Sequence, residues 1–372
     1  MGVPLRILHA VVNMNRGGAE TLIMNLYRNM DRSLVQFDFL TCKEGIFDQE
    51  ILSMGGKIYR IPYVTEIGHI AYVKELDHFF KQYSNYKIIH SHMDKMSGFI
   101  LRAAEKANIP VRIAHSHSTK SEGGLAAKLY KWYAGKQIKS NATHLYACSK
   151  AAGKWLFTDR NKETLILKNG IEYEKFQYSS DVRKKVRKDL KLDSHSFVIG
   201  HIGRFSEPKN HLFLLEVFAG LIKLLPTATL LLIGEGDLRP KIEKKIKELH
   251  LEANVELLGI REDIHLLLQG IDLFVFPSLY EGLPVTLIEA QGAGLPCIIS
   301  DTITKEVDMG MGLVQYLSLA DKKLWIERIL KIEEGNSPRI ITEFTLNQKG
   351  YNIRKTAEIT QNTYIALGGE VC

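Results

Sequence analysis

The chain has 372 residues, 45% of them hydrophobic and 24% charged, which is too long for one ordinary domain, suited to two, and too apolar for extensive disorder. A net charge of +7 implies attraction to polyanions in general: nucleic acid, anionic lipid or phosphorylated small molecules. No apolar run reaches the roughly 18 residues of a membrane-spanning helix, the start lacks a signal peptide's pattern, and Cys42, Cys148, Cys297 and Cys372 stand apart; together these read as a cytoplasmic protein with reduced thiols.

From the N-terminus, strand-like segments at Arg6–Val12, Phe37–Thr41, Lys57–Ile61, Lys87–His92, Val111–His115 and His144–Cys148 alternate with helical patterns. The latter fall near Ala19–Met30, Phe47–Met54, Ala71–Tyr83, Ser97–Lys106 and Leu125–Lys139. This alternation predicts a doubly wound, mostly parallel α/β sheet. Lys168-Asn169-Gly170 then supplies a turn, the polar, charge-dense Glu172–Lys191 follows, and the domain boundary is placed there. A second alternating series has strands at Phe197–Ile202, Thr229–Ile233, Asn254–Leu258, Leu273–Phe276 and Cys297–Ser300, with closing helices near 320–333 and 351–366.

In such sheets, ligands bind beyond the carboxyl ends of the strands, where the next helix offers free N–H groups. In the second series, Arg204 and Lys209 flank the turn after the first strand, a guanidinium and an ammonium suited to a diphosphate. Gly234 and Gly259 end the next two strands and allow close backbone approach to a flat ligand such as a base. Phe276-Pro277-Ser278-Leu279-Tyr280-Glu281-Gly282-Leu283-Pro284 then leads into a helix bearing Glu289. In the first series, Gly17-Gly18 lies between strand and helix without dinucleotide-site spacing. His90 and His92 end one strand, and His115 and His117 another. Strand alternation permits His115 and His117 to share a face. These pairs offer no third ligand at zinc spacing, so no metal is expected. Residues Lys128, Lys131, Trp132, Lys136 and Lys139, within 123–140, share one broad helical face suited to an anionic membrane surface or to ordinary solvation.

Taken in order over most of the chain, these segments resemble the retaining nucleotide-sugar glycosyltransferases of family 4 (group 1 type). The resemblance rests on Gly17-Gly18-Ala19-Glu20, the His115/His117 strand end, Asn169-Gly170-Ile171, Gly203-Arg204 with Lys209, Gly234-Glu235-Gly236, and Phe276-Pro277-Ser278 through Glu281-Gly282-Leu283-Pro284 to Glu289. It implies the GT-B architecture: two Rossmann-like, doubly wound domains facing across a cleft. Residues 1–170 would form an acceptor domain with a helix in 350–372 crossing back to it, and 171–349 a donor domain.

The resemblance further implies a nucleoside-diphosphate-sugar donor, by the family's habit a UDP-sugar, and no metal cofactor. Arg204 and Lys209 would clamp the diphosphate, Glu281 the sugar hydroxyls, Glu289 the ribose, and the backbone at Gly259-Ile260 the base, with Gly234, Ser278, Gly282 and Leu283 also in the donor site. Gly17 and Gly18 would approach the donor phosphate and the acceptor, with His115 or His117 near the reacting sugar. The implied acceptor is a lipid-linked or saccharide chain in exopolysaccharide, capsule or cell-surface glycan synthesis, made at the inner face of the cell membrane. A sugar-nucleotide epimerase on the same scaffold would need no acceptor. A phosphorylase-like enzyme would need a pyridoxal phosphate lysine, and no segment resembles that site. Nucleic acid is not an expected partner: the charge is spread and no recognition module is present.

Overall fold

The computed structural model of the chain describes residues 3–121, 123–193, 195–335, 339 and 343–369. The chain divides into two compact units, Met1–Gly170 with Gly350–Cys372, and Ile171–Lys349. Cys372 and the last residues of the predicted 350–372 segment lie outside the described residues.

The first unit holds β1 (Leu5–Ala10), β2 (Val35–Thr41), β3 (Ile58–Arg60), β4 (Ile88–Ser91), β5 (Val111–Ser116), β6 (His144–Ala147) and β7 (Leu165–Ile166). They form one sheet in the order β3-β2-β1-β4-β5-β6-β7, with every pairing parallel. The order reverses between β1 and β4, so their carboxyl ends flank a switch point. Met24 and Tyr27 of the helix Gly18–Asn29 are buried with Phe37 and Phe39 of β2, and the C-terminal helix Ile353–Gly369 adds Ile353, Ala357 and Tyr364 to the same core. That helix is fixed by polar contacts as well. The Asn352 carboxamide caps its start by accepting from the Arg354 N–H at 3.0 Å, and Lys87 Nζ donates to the Gly368 carbonyl at 3.2 Å.

The second unit holds β8 (Val198–Ile202), β9 (Thr229–Ile233), β10 (Val255–Gly259), β11 (Leu273–Phe276), β12 (Cys297–Ser300) and β13 (Val314–Leu317). Their order, β10-β9-β8-β11-β12-β13, is again all parallel and reverses between β8 and β11. Near-continuous apolar runs such as Leu230–Ile233 and Leu273–Phe276 are buried, as a sheet covered on both faces requires. Trp325 is fully buried against Phe213 and donates from Nε1 to the Ser318 carbonyl at 2.9 Å, docking the helix Lys322–Glu333.

Strands β7 and β13 and the helix Lys150–Phe157 lie outside the sequence expectations. Two and four residues carry too little periodicity to declare a strand. The charge-dense stretch read as a boundary is itself helical at Tyr173–Phe176 and Ser180–Asp189. The second of these helices buries only Val186 and Arg187, and Arg183 donates to Asp272 Oδ1 at 2.6 Å while Arg187 donates to Oδ2 at 2.5 Å. Guanidinium pairing substitutes there for an apolar stripe, which hides the helix from a hydrophobic-period reading.

Candidate active site

In the second unit, β8 ends at Gly203-Arg204, a single 3-10 turn carries Glu207–Lys209, and Asn210 in the left-handed region (φ 56°, ψ 41°) starts the helix His211–Ile222. Lys209 Nζ reaches across the switch point and donates to Glu281 Oε1 at 2.6 Å, over the Phe276 ring at 4.8 Å. Both side chains are largely buried, so solvent screens the pair weakly. Arg204 is exposed, and its guanidinium engages no carboxylate among the described residues. A basic pair therefore stands at the end of β8, one member anchored by a carboxylate from the β11 loop and the other open to an anion.

Two residues that the sequence reading passed over hold this geometry. Asn210 Nδ2 donates to the Pro277 carbonyl at 3.1 Å, and Thr302 Oγ1 donates to the Ser278 carbonyl at 3.0 Å. With Leu279 N–H donating to the Pro208 carbonyl at 2.8 Å, they tie the β8, β11 and β12 loops together. Asn210 suits its place because asparagine tolerates the left-handed region. Ser278 and Thr286 are further partners in waiting, because both hydroxyls are buried without a hydrogen-bond partner. No side chain caps the helix Val285–Gly292, leaving its first N–H groups free of such a partner. Gly282 and Leu283 are buried beside it. Glu289 lies one turn into this helix, and burial pushes its carboxyl up to about 7.

At φ +142° the Gly234 backbone packs so closely against the neighbouring loop that a Cβ would lie 2.1 Å from the Gly203 carbonyl oxygen. Gly259, at φ +65°, turns the chain after β10 and leaves Ile260 59% exposed. The segment leading into Met309-Gly310-Met311-Gly312 is also held from this helix: Gln291, fully buried, donates to the Val307 carbonyl at 2.8 Å and accepts from the Met309 N–H at 3.0 Å.

In the first unit, Gly17 is the N-cap of the helix Gly18–Asn29 and makes no side-chain cap, and a Cβ on Gly18 would meet nothing within 4 Å. The histidines form a larger cluster than the two pairs, because His9 of β1 joins them. Register explains it: His9 pairs with His90, so both point to the same face, and His92 falls on that face two residues on. Two hydrogen-bonded rows result. His9 Nδ1 meets His92 Nε2 at 2.9 Å and His92 Nδ1 meets His117 Nε2 at 2.9 Å; Tyr364 Oη meets His90 Nδ1 at 2.6 Å and His90 Nε2 meets His115 Nδ1 at 3.1 Å. Burial holds all five imidazoles below their ordinary range, His9 and His117 at about 3. His115 is fully buried and His117 partly exposed, so of the two it is His117 that reaches the surface at the strand end. The expectation that no third metal-ligand histidine accompanies the pairs does not hold, since neighbouring strands supply one that linear spacing hides.

The basic, aromatic helix spans Leu125–Lys136, and Lys139 sits on a separate short helix, Ile138–Asn141, so the face is narrower than predicted. Leu125, Leu129 and Trp132 are 77%, 59% and 53% exposed, an apolar stripe among lysines. No helix among the described residues is long and apolar enough to cross a membrane.

Residues 182–311 match the family model for glycosyl transferases group 1, and residues 16–175 that for Glycosyltransferase Family 4. The chain is 41% identical to the candidate glycosyltransferase EpsF of Bacillus subtilis (strain 168), over 96% of each chain. It is 29% identical to the UDP-Gal:alpha-D-GlcNAc-diphosphoundecaprenol alpha-1,3-galactosyltransferase of Escherichia coli, covering 89% of this chain and 90% of that one. The crystal structure of Anabaena HepE in complex with UDP and glucose superposes with a TM-score of 0.75 at 19% identity, covering 99% of this chain and 98% of that one. With two parallel sheets of seven and six strands, each reversing at a switch point, the chain belongs to the group 1, family 4 glycosyltransferases and has their GT-B fold.

Proposed function

We propose that this glycosyltransferase moves a sugar, with retention, from a UDP-sugar to a lipid-linked or saccharide acceptor in the synthesis of a capsular or extracellular polysaccharide, at the inner face of the cell membrane. The observation that carries the reading is the pairing of Lys209 with Glu281 across the β8/β11 switch point beside the open guanidinium of Arg204. Breaking the anomeric C–O bond leaves charge on the departing diphosphate, and a preorganised guanidinium and ammonium stabilise that charge as it develops, with no metal required. Glu281 holds Lys209 in place. On donor binding Lys209 turns to a phosphate oxygen and Glu281 accepts from sugar hydroxyls.

Glu289 accepts from the ribose, the backbone at Gly259-Ile260 faces the base, and the Gly234 turn shapes the loop beside the phosphates. In the first unit Gly17, Gly18 and His117 serve the acceptor and the transferred sugar, and His115 braces His117 from below. A uridine nucleotide and a diphosphoundecaprenol-type acceptor are supported by the specificity of the Escherichia coli relative and by the UDP in the HepE structure. The polysaccharide context is supported by CapH of Staphylococcus aureus, a capsular polysaccharide biosynthesis glycosyltransferase 28% identical over 312 residues. The exposed Leu125, Leu129 and Trp132 among lysines suit contact with the anionic membrane that would hold such an acceptor.

Thermal-shift titration of the full chain with UDP, GDP and ADP tests the donor half of this reading. UDP alone should raise the melting temperature, since a ligand bound only by the native state stabilises by mass action. No shift with UDP, or a larger one with GDP or ADP, overturns the uridine assignment. Incubation with UDP-sugars and a diphosphoundecaprenol-linked saccharide tests the acceptor half, by UDP release that depends on both substrates.

A further inference from the structure

The histidine cluster of the first unit has a property that sugar transfer does not require. One nitrogen from each of His92, His115 and His117 lies within 4.8 Å of the other two. Two of these side chains already approach closely, His92 Nδ1 to His117 Nε2 at 2.9 Å, and the third brings a buried nitrogen, His115 Nε2, with no hydrogen-bond partner. A tetrahedral zinc-class ion with bonds of about 2.0–2.1 Å needs its nitrogens roughly 3.3 Å apart. The observed spread brackets that value, and small ring rotations reach it.

We propose that His92, His115 and His117 form a site for a borderline transition-metal ion of the zinc class. The remaining hydrogen bonds argue for it independently. A ligating histidine normally donates its other ring N–H to an outer partner, which fixes its tautomer. With His115 Nε2 on the ion, His115 Nδ1–H donates to His90 Nε2 at 3.1 Å, and His90 Nδ1–H donates onward to Tyr364 Oη at 2.6 Å. With His92 Nδ1 on the ion, His92 Nε2–H donates to His9 Nδ1 at 2.9 Å. Every ring stays neutral, each imidazole keeping one N–H and one lone pair, and only His117 Nδ1–H and His9 Nε2–H are left without an acceptor among the described residues. Asp94 Oδ1, accepting the His117 backbone N–H at 2.9 Å, adds a negative charge beside the ligands. Three imidazoles without a carboxylate select zinc, cobalt or nickel over magnesium or calcium, so the site is no substitute for a diphosphate-bound Mg²⁺. Its ligands come from β5 and from the residues just after β4 and β5, and its outer partners from β1, β4 and the C-terminal helix; a bound ion therefore ties that helix to the sheet.

Binding is read without any sugar donor, so its failure and the failure of the transfer reading are separable. Tag-free full-length protein, stripped with EDTA and dialysed, is titrated with Zn²⁺ alone and with Co²⁺ alone. One equivalent of Zn²⁺ should bind per chain, Co²⁺ should give the intense visible bands of a tetrahedral nitrogen site, and Zn²⁺ at a hundredfold excess over its Kd should raise the melting temperature by roughly 5 to 10 °C. H115Q should weaken binding by about 100-fold or more. Because His115 is fully buried and its replacement can unfold the unit, H117Q at the partly exposed position is the second variant, with the same loss expected. The parent's Co²⁺ spectrum needs no variant at all. Absence of tetrahedral bands in the parent, or equal affinity in the parent and both variants, overturns the site.

Discussion

Replacing Glu289 by glutamine isolates one carboxyl whose ionisation the fold resists. Its carboxyl stands at about 7 against an ordinary 4.5, the cause is burial, and no counter-charge faces it among the described residues. For an acid raised in this way the native state holds more protons than the unfolded chain between pH 4.5 and 7, so stability falls as pH rises through that window and stays low above it. The two values put the cost of ionising Glu289 in the folded protein at about 1 kcal/mol at pH 5 and about 3 kcal/mol at pH 8. E289Q keeps the shape and cannot ionise. Any cost of burying its amide is independent of pH, so the diagnostic is the change in its advantage, about 2 to 3 kcal/mol greater at pH 8 than at pH 5. In melting temperature this is roughly 5 to 10 °C for a domain of this size. Thermal unfolding of parent and E289Q across pH 5 to 8 measures it, with the melt of the second unit followed separately where the units unfold apart. Parallel profiles at all pH values would refute the argument that the fold holds half-buried Glu289 as an acid without a counter-charge.

The assigned role of Glu289 has its own signature. If the ribose is held by the ionised carboxylate, UDP affinity should rise about tenfold from pH 6 to pH 8 in excess of the change seen with E289Q, by isothermal titration. K209A and R204A should each lower turnover by about 100-fold or more with the fold intact by circular dichroism; near-parental kcat in either removes that residue from the clamp. E281Q should lower turnover as well, and UDP without a sugar should bind it nearly as well as it binds the parent, because the assigned contact is to the sugar. G234A forces a Cβ to within 2.1 Å of a carbonyl oxygen and should destabilise by about 2 kcal/mol or more; an unchanged urea midpoint would show that the loop relaxes freely. L129E with W132E should reduce co-sedimentation with anionic vesicles while leaving turnover on a soluble acceptor unchanged, and equal sedimentation would exclude the helix Leu125–Lys136 from membrane contact.

Alternating apolar runs and helical periods by themselves determined that the chain is built from parallel, doubly wound sheets, because burial on both faces writes continuous apolar strands such as Leu273–Phe276 into the sequence. The loop residues Arg204, Lys209 and Glu281, and Glu289 on the helix that follows, stand out for a related reason: charge placed beside turn residues after an apolar run draws notice. What linear spacing could not reveal was which of these groups meet. Lys209 and Glu281 are 72 positions apart and share an ion pair only because the strand order reverses between β8 and β11. The supports Asn210, Thr302 and Gln291 went unseen, since a single amide or hydroxyl carries no periodic signal and gains meaning only from the carbonyl or N–H it reaches.

The histidines make the same division sharper. The sequence placed His90 with His92 and His115 with His117 at strand ends, and found no third metal ligand. The sheet put His9 in register with His90, set β5 beside β4, and laid Tyr364 of the C-terminal helix against His90, so that five imidazoles from three strands became one cluster. Strand alternation is a local rule and was available in advance; the pairing of strands is a long-range contact, decided by how the whole sheet buries its apolar faces.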